Sequence, residues 1–366
     1  MVLESLSLSH FRNFSKKEIS FSGKSDLIVG PNSIGKTNIL EAIYLLASGK
    51  SFRVKGVESE MVEYGEEMAR VVGKVGGGEQ KTDLEIVLTR GEVMGERVAK
   101  KKYSVNGVYK RAGDFVGHLR AVYFGPEDLE LVTDSPSLRR KYLDTVLSQT
   151  DRDYARASLS YEKGLRARNR ILEEIKEWRD TAGFSEEVFR KRLYFWDQLL
   201  IRNGNILTSE REEYLNFLNS SKRFGVHQLT DEGFEVEYDR STISVERLAQ
   251  YSQEEVAAGT TLVGPHRDDF RLKIRVEEAR DLAVFGSRGE QRLAILWMKL
   301  GELSFVKEKT SDLPVLLLDD IFSELDPKHR KLVLGVVHRQ QTIMTTADIG
   351  MVDKKWLTGV EIIELK

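Results

Sequence analysis

Eight residues constrain this chain more than any others: Gly30-Pro31-Asn32-Ser33-Ile34-Gly35-Lys36-Thr37. They match G-x-x-x-x-G-K-[ST], follow the apolar run Leu27-Ile28-Val29, and lead into an amphipathic stretch, Asn38-Ile39-Leu40-Glu41-Ala42-Ile43. A buried strand, a glycine-bounded turn and a helix start are the context in which this pattern binds phosphate. Glycine lets the backbone curl so that successive N–H groups point inward at phosphate oxygens, and the helix N-terminus adds a favourable dipole. Residues 30–38 are therefore the candidate nucleotide-binding segment, with Lys36 bridging β- and γ-phosphates and the Thr37 hydroxyl holding Mg²⁺.

Far downstream, Val315-Leu316-Leu317-Leu318-Asp319-Asp320 is an apolar run that ends in two acids. A strand buried on both faces reads this way, and the carboxyl ends of such strands are where open α/β sheets place their ligands. Asp319 is expected to complete the Mg²⁺ shell, and Asp320 to orient or deprotonate an attacking water. The chain has no Cys, which leaves oxygen ligands and backbone donors for any metal chemistry. Between the two motifs lies Ser287-Arg288-Gly289-Glu290-Gln291-Arg292, small residues opening a helix. This second anion-receptive helix start is one too many for a single nucleotide.

Periodicity divides the 366 residues into an α/β texture split by a helical insert. Up to about residue 130 the pattern is paired strands (Leu3, Leu6, Leu8 against Ile19, Phe21) and a β meander over 70–110. Its best marker is Asn106-Gly107, a type I′ hairpin signal. Ser135-Pro136 reads as an N-cap with Pro at N1, and helical pattern then runs to about 220, broken at Thr181-Ala182-Gly183. Strands are expected at 234–238, 270–276, 282–285, 314–318 and 341–345, with helices near 245–258, 289–306 and 328–339. The expected organisation is a head in two parts, 1–130 and 261–366, around a helical arm domain at 131–260. The N-terminus alternates like a strand rather than a secretion signal, and no run of about 18 apolar residues occurs, so a cytoplasmic protein without a membrane span is expected.

The phosphate loop, the Ser287–Gln291 motif, the strand ending in Asp319-Asp320, and then Ser323-Glu324-Leu325-Asp326 resemble, in that order, the ATPase head of the ABC family. The resemblance implies a P-loop NTPase sheet with an antiparallel β subdomain, the ABC/SMC-like head, carrying an inserted helical arm. It also implies that two heads close around two ATP molecules, with Ser287, Gly289 and Gln291 of one subunit acting on ATP held by the other. Ser287 would then join Lys36, Asp319 and Asp320 in the catalytic set. More narrowly, the chain is similar to the RecF family of the SMC-like branch. The similarity is carried by Phe11-Arg12-Asn13-Phe14, Thr37 to Ala42, Phe124-Gly125-Pro126-Glu127-Asp128-Leu129, Ser135 to Arg140, Gly264-Pro265-His266-Arg267-Asp268-Asp269 and Leu318 to Asp326. It implies an ATP-driven homodimer that clamps duplex DNA and works with RecR and RecO to help load RecA.

Some positions depart from the ABC pattern or stay open. Asp320 stands where most ABC heads carry Glu, and the shorter side chain implies slow turnover. Glu127 or Asp128 would take the place of the usual glutamine. The γ-phosphate sensor would be Thr345 or Thr346, or be missing. Arg12 is either a phosphate contact or a solvated strand-end arginine, and His266 belongs to a turn that returns the insert to the head rather than to a metal site.

With 56 basic and 58 acidic side chains, any nucleic-acid site must be a local patch. Residues 138–170 hold nine basic and four acidic side chains. Arg139, Arg140, Lys141, Arg152, Arg156 and Lys163 are the candidate DNA contacts, the last three recurring on one helix face. Such a face tracks phosphates without reading sequence.

Overall fold

A computed structural model describes residues 1–53, 58–77, 80–178, 186–220, 233–275, 278–321, 330, 333, 335, 337, 339–352 and 357–365. Ser323–Asp326, Thr181–Gly183 and most of the expected helix near 328–339 lie outside the described residues.

Five strands form a parallel sheet: Ser25–Val29 (β3), Ala121–Phe124 (β10), Val315–Leu318 (β14), Thr342–Thr346 (β15) and Val360–Glu364 (β16), in the order β10-β14-β15-β3-β16. Val315–Leu318 reads as an unbroken apolar run because both faces of the sheet are covered. Their side chains alternate between two cores. Leu27, Val122, Phe124, Leu316, Leu318 and Met344 face one, Ile28, Ala121, Tyr123, Val315, Leu317 and Ile343 the other.

The second of these cores lies under a six-stranded antiparallel sheet made of Val2–Phe11 (β1), Phe14–Ser20 (β2), Met68–Gly77 (β4), Gln80–Thr89 (β5), Lys101–Val105 (β8) and Val108–Lys110 (β9). Leu6 pairs with Ile19 as the alternation predicts, and Asn106 and Gly107 adopt φ of 51° and 76° in the β8–β9 turn. Between β5 and β8 the chain makes only a small hairpin, β6 (Glu92–Val93) and β7 (Glu96–Arg97). Helix α1 (Lys36–Ser48) contributes Ile39, Leu40, Ile43, Leu45 and Leu46, all fully buried, to the same core.

The other core receives the insert. After two single turns, α2 (Ala112–Phe115) and α3 (Glu130–Thr133), come α4 (Pro136–Thr150) and the long pair α5 (Arg152–Trp178) and α6 (Glu186–Ser220). Strand β11 (Gly233–Asp239) follows, then α7 (Val245–Gln250) and α8 (Ser252–Ala258), one expected helix divided at Tyr251. β11 pairs along its length with β12 (Asp269–Arg275), which also holds β13 (Ala279–Asp281). That pairing crosses the expected boundary at residue 260, and one hydrophobic core joins Val122 to Tyr154, Leu200 and Trp297. The strand expected at 282–285 is instead a helical turn, α9 (Leu282–Phe285). Asp281 caps it by accepting the Ala283 N–H at 2.8 Å, local chemistry that outweighs the apolar run. Helix α10 (Arg288–Thr310) completes this face.

The insert is fastened to the head at residues 264–269. Gly264 has φ +124°, and a Cβ there would lie 2.4 Å from the Tyr161 hydroxyl, so only glycine makes the turn. Beyond it, fully buried Asp268 accepts from Arg211 Nη1 (2.7 Å), the Tyr238 hydroxyl and the Ser241 N–H (2.7 Å). Arg211, itself 2% exposed, also donates to Asp144, to the Pro265 carbonyl and to the Tyr154 hydroxyl. His266 sits between the Tyr161 hydroxyl (2.8 Å) and the Thr261 carbonyl (3.0 Å), and burial pulls its imidazole down to about 4. It is a neutral structural histidine.

Candidate nucleotide-binding site

The carboxyl ends of β3, β15 and β14 lie side by side, with Leu318 opposite Met344 and Met344 opposite Leu27. Three consecutive strands thus deliver the phosphate loop, Thr345 and the acidic pair to one edge of the sheet. In the loop, Ser33 takes φ 68° and Gly35 φ 110° before α1 begins at Lys36. A Cβ on Gly35 would lie 2.5 Å from the Phe14 ring and 2.8 Å from the Asn13 amide, which packs the β1–β2 turn against the loop. Asn13 in turn donates to the Ile34 carbonyl at 3.0 Å and accepts from Asn38 at 2.8 Å.

Lys36 is 8% exposed, its Nζ donating to the Gly30 (2.7 Å) and Pro31 (2.9 Å) carbonyls. Burial pulls its amine below the ordinary lysine value, and the charges of Asp320 and Asp319 work the other way. Loop lysine and paired acids thus lie within reach of each other's charge. The arrangement suits a bound triphosphate and its metal: an ammonium held in place by loop carbonyls, curled backbone, a half-buried Thr37 at the helix start, and a buried carboxylate at the neighbouring strand end.

Asp319 is 5% exposed and accepts from the Thr345 hydroxyl at 2.6 Å, with the Tyr123 phenol 3.4 Å from its other oxygen. The phenol is closer to Glu127, at 2.6 Å. Burial lifts the Glu127 carboxyl above its usual range, against the lowering effect of that hydrogen bond. Asp128 is committed elsewhere: it accepts from the Gly125 N–H and pairs with Lys299 at 3.0 Å inside the core, where Glu302 lies 3.3 Å from the same ammonium. Of the two acids considered for the glutamine's place, Glu127 is the one beside Asp319. The sensor candidates are also committed, since Thr345 donates to Asp319 and Thr346 to the Asp348 carbonyl at 3.1 Å.

Arg12 is neither a loose strand-end residue nor aimed at the loop. With φ 57° it turns back to form a two-pronged pair with fully buried Glu41 of α1, at 2.9 and 2.6 Å, and donates to the Glu60 carbonyl. A buried carboxylate in the first turns of α1 captures the guanidinium, so Arg12 is not the solvated strand-end arginine of the sequence reading. Glu41 also accepts from Ser51 and lies 3.9 Å from Arg53, which bonds Asn38 at 2.7 Å and lies 3.9 Å from Glu127. Sequence reasoning missed Glu41, Arg53 and Tyr123. The available signal was a carboxylate in a helix whose neighbours Leu40, Ala42 and Ile43 are all apolar.

Ser287 caps α10. Its hydroxyl accepts the Glu290 N–H at 3.3 Å, and Glu290 accepts the Ser287 N–H at 2.6 Å. Ser287, Arg288 and Gly289 are exposed, as are Val284 (70%) and Phe285 (71%) just before them. Gln291 instead donates to the Leu282 carbonyl at 2.9 Å, holding the preceding turn. In the single chain Ser287 makes its hydrogen bonds to Glu290 and Lys36 makes its own within the loop, so no hydrogen bond joins these two residues.

The basic residues sort into two groups. Arg139 is 9% exposed and forms a two-pronged pair with Asp269 at 2.6 and 2.9 Å. Its Nη1 also donates to the Leu131 and Asp134 carbonyls, so burial and pairing commit Arg139 to the fold and count against its reading as a DNA contact. Half-buried Arg140 and Lys141 donate to the Asp268 and Ser51 carbonyls at 2.8 and 2.7 Å and serve the same head–insert joint. Arg152, Arg156 and Lys163 are exposed on α5, Arg156 paired with Asp114 at 2.7 Å.

A parallel sheet bearing such a loop, covered by an antiparallel sheet on one face and a helical insert on the other, is the architecture of ABC/SMC-type ATPase heads. A family model described as the RecF/RecN/SMC N terminal domain matches residues 2–362. The DNA replication and repair protein RecF of Lachnoclostridium phytofermentans is 33% identical over 352 residues, covering 94% of this chain and 92% of the relative; that of Roseiflexus castenholzii is 35% identical, covering 98% and 96%. The chain belongs to the RecF family. Among solved structures, the recombination mediator protein RecF with ATP, of the RecFOR pathway, is 34% identical with a TM-score of 0.83, covering 96% of this chain and 93% of that one. An Smc head bound to the C-winged helix domain of ScpA shares the fold at a TM-score of 0.50 and 17% identity. Among the described residues no helix is long and apolar enough to cross a membrane.

Proposed function

We propose that the chain is an ATP-dependent DNA clamp of recombinational repair, in which Mg²⁺-ATP closes a homodimer on duplex DNA and slow hydrolysis reopens it. The observation that carries this reading is the division of the site: loop and paired acids converge on one edge, while the Ser287 helix start is displayed outward beside exposed Val284 and Phe285. Residues 30–38 would cradle the phosphates, and Thr37 and Asp319 would hold Mg²⁺, which polarises the γ-phosphoryl group when bound. Asp320 would orient the attacking water. Its one-carbon-shorter reach favours slow turnover, which suits a timed clamp. Ser287 and Gly289 would close on the partner's triphosphate, excluding water and adding donors where charge develops. Solved RecF structures with ATP support the nucleotide, and their place in the RecFOR pathway fits the RecR and RecO partnership and the RecA loading that the family resemblance implies.

Ser287→Arg tests the clamp. Losing the serine cap costs about 1 kcal/mol, so the monomer stays folded. Sedimentation with saturating ATP is expected to show dimer for the parent and monomer for the variant, with dimerisation weakened ~100-fold, about 3 kcal/mol. Normal ATP-dependent dimers would overturn the shared-site reading.

Among the candidate DNA contacts, Arg152 and Lys163 are exposed on α5. Replacing exposed Arg152 and Lys163 with Ala is expected to weaken duplex binding about tenfold at physiological salt and to make the log–log salt slope shallower by about 2, one unit per lost phosphate contact. Fluorescence anisotropy across a salt series checks it, and an unchanged slope places the DNA elsewhere.

A further inference from the structure

Thr345 is the residue through which both acids of the site are held. It is fully buried on β15, the strand interposed between the loop strand β3 and the acid strand β14, and the register places it level with the first residue after Leu318. Its hydroxyl donates to Asp319 Oδ1 at 2.6 Å, and Thr345 Oγ1 in turn accepts the Asp320 N–H at 3.0 Å. Asp319 is also fixed from the opposite strand, its N–H donating to the Phe124 carbonyl at 2.9 Å. Asp320 has φ +47°, a left-handed conformation that side chains other than Gly and Asn-like residues rarely adopt. The backbone bond to Thr345 is one contact that fixes it there. Strained residues of this kind persist where their surroundings over-determine them.

We propose that Thr345 is a positioning residue for metal and water: it sets the direction of the Asp319 carboxylate and, through the Asp320 peptide, the aim of the Asp320 side chain. It is not a sensor of the γ-phosphate, because its only proton is spent on Asp319. This rests on the nucleotide reading above and deepens it. The methyl group of Thr345 fills space, and only the hydroxyl does the orienting, so two substitutions separate packing from positioning. Thr345→Val keeps the shape and loses the hydroxyl. Thr345→Ser keeps the hydroxyl and loses the methyl.

With the full-length protein, three quantities are measured: binding of a fluorescent ATP analogue without divalent metal, Mn²⁺ affinity of the protein–ATPγS complex by electron paramagnetic resonance, and steady-state phosphate release. Metal-free nucleotide binding is expected within about twofold of the parent in both variants, since the loop is untouched. In Thr345→Val, Mn²⁺ affinity falls about tenfold and turnover at saturating Mg²⁺-ATP about a hundredfold; in Thr345→Ser both stay within about threefold. If Thr345→Val behaves as the parent, or if Ser and Val fall together, the hydroxyl does not position the acids and the proposal fails. If the parent itself shows no phosphate release, the ATPase reading fails, and the Mn²⁺ comparison still decides the role of Thr345. Should Thr345→Val not fold, Thr345→Ala against Thr345→Ser gives the same contrast.

Discussion

With Lys36 changed to Met, binding of a fluorescent ATP analogue is expected to fall at least ~100-fold, about 3 kcal/mol, and phosphate release to become undetectable. The reason lies in the charge balance of the site. Lys36 is the cation of the loop, buried against the Gly30 and Pro31 carbonyls and within the field of Asp319 and Asp320. Methionine fills the same space without charge, so a triphosphate would meet two carboxylates with no compensating ammonium. Because the Lys36 hydrogen bonds stay inside the loop, the thermal unfolding midpoint should change little. Titration of the analogue, with unfolding followed by circular dichroism, separates the two effects. Retained affinity would mean that nucleotide is held elsewhere.

The second large effect falls on the joint between head and insert rather than on chemistry. Arg211→Ala is expected to cost roughly 3–5 kcal/mol of stability, because it strands partners that cannot regain water. Asp268 is fully buried and Asp144 largely so, and Arg211 also satisfies the Pro265 carbonyl. Arg211 ties α6 to α4, to α5 through Tyr154, and to the segment that leads into β12. Urea unfolding gives the value directly. Exchanging both partners, Arg211→Met with Asp268→Leu, should recover only part of the loss, since Asp268 also serves Tyr238 and the Ser241 N–H. A single variant within 1 kcal/mol of the parent would show that the joint is not held by this pair.

Seen from these two residues, the chain was legible to unequal depths. Gly30–Thr37 and Val315–Asp320 announce themselves because their chemistry depends on local order: a loop whose N–H groups converge, and a doubly buried strand that must end where charge begins. The Asn106-Gly107 hairpin and the long helices α5 and α6 were legible for the same reason, since turn chemistry and 3.6-residue periodicity act over neighbouring residues. The 282–285 segment misled because an apolar run of four does not distinguish a strand from a capped turn, and Asp281 decided it.

What the sequence determined by itself is therefore the local machinery: a phosphate loop, an acidic strand end, a capped helix start and an insert between them. Only the tertiary structure decided which charged residues are free to act. Arg139 and Arg152 look alike in sequence, yet one is buried against Asp269 and the other faces solvent; Arg12 belongs to Glu41, and Thr345 to Asp319 and Asp320. The physical reason is that a charge or hydroxyl acts through whatever lies within about 3 Å of it, and these partners come from positions 25 to 130 residues away.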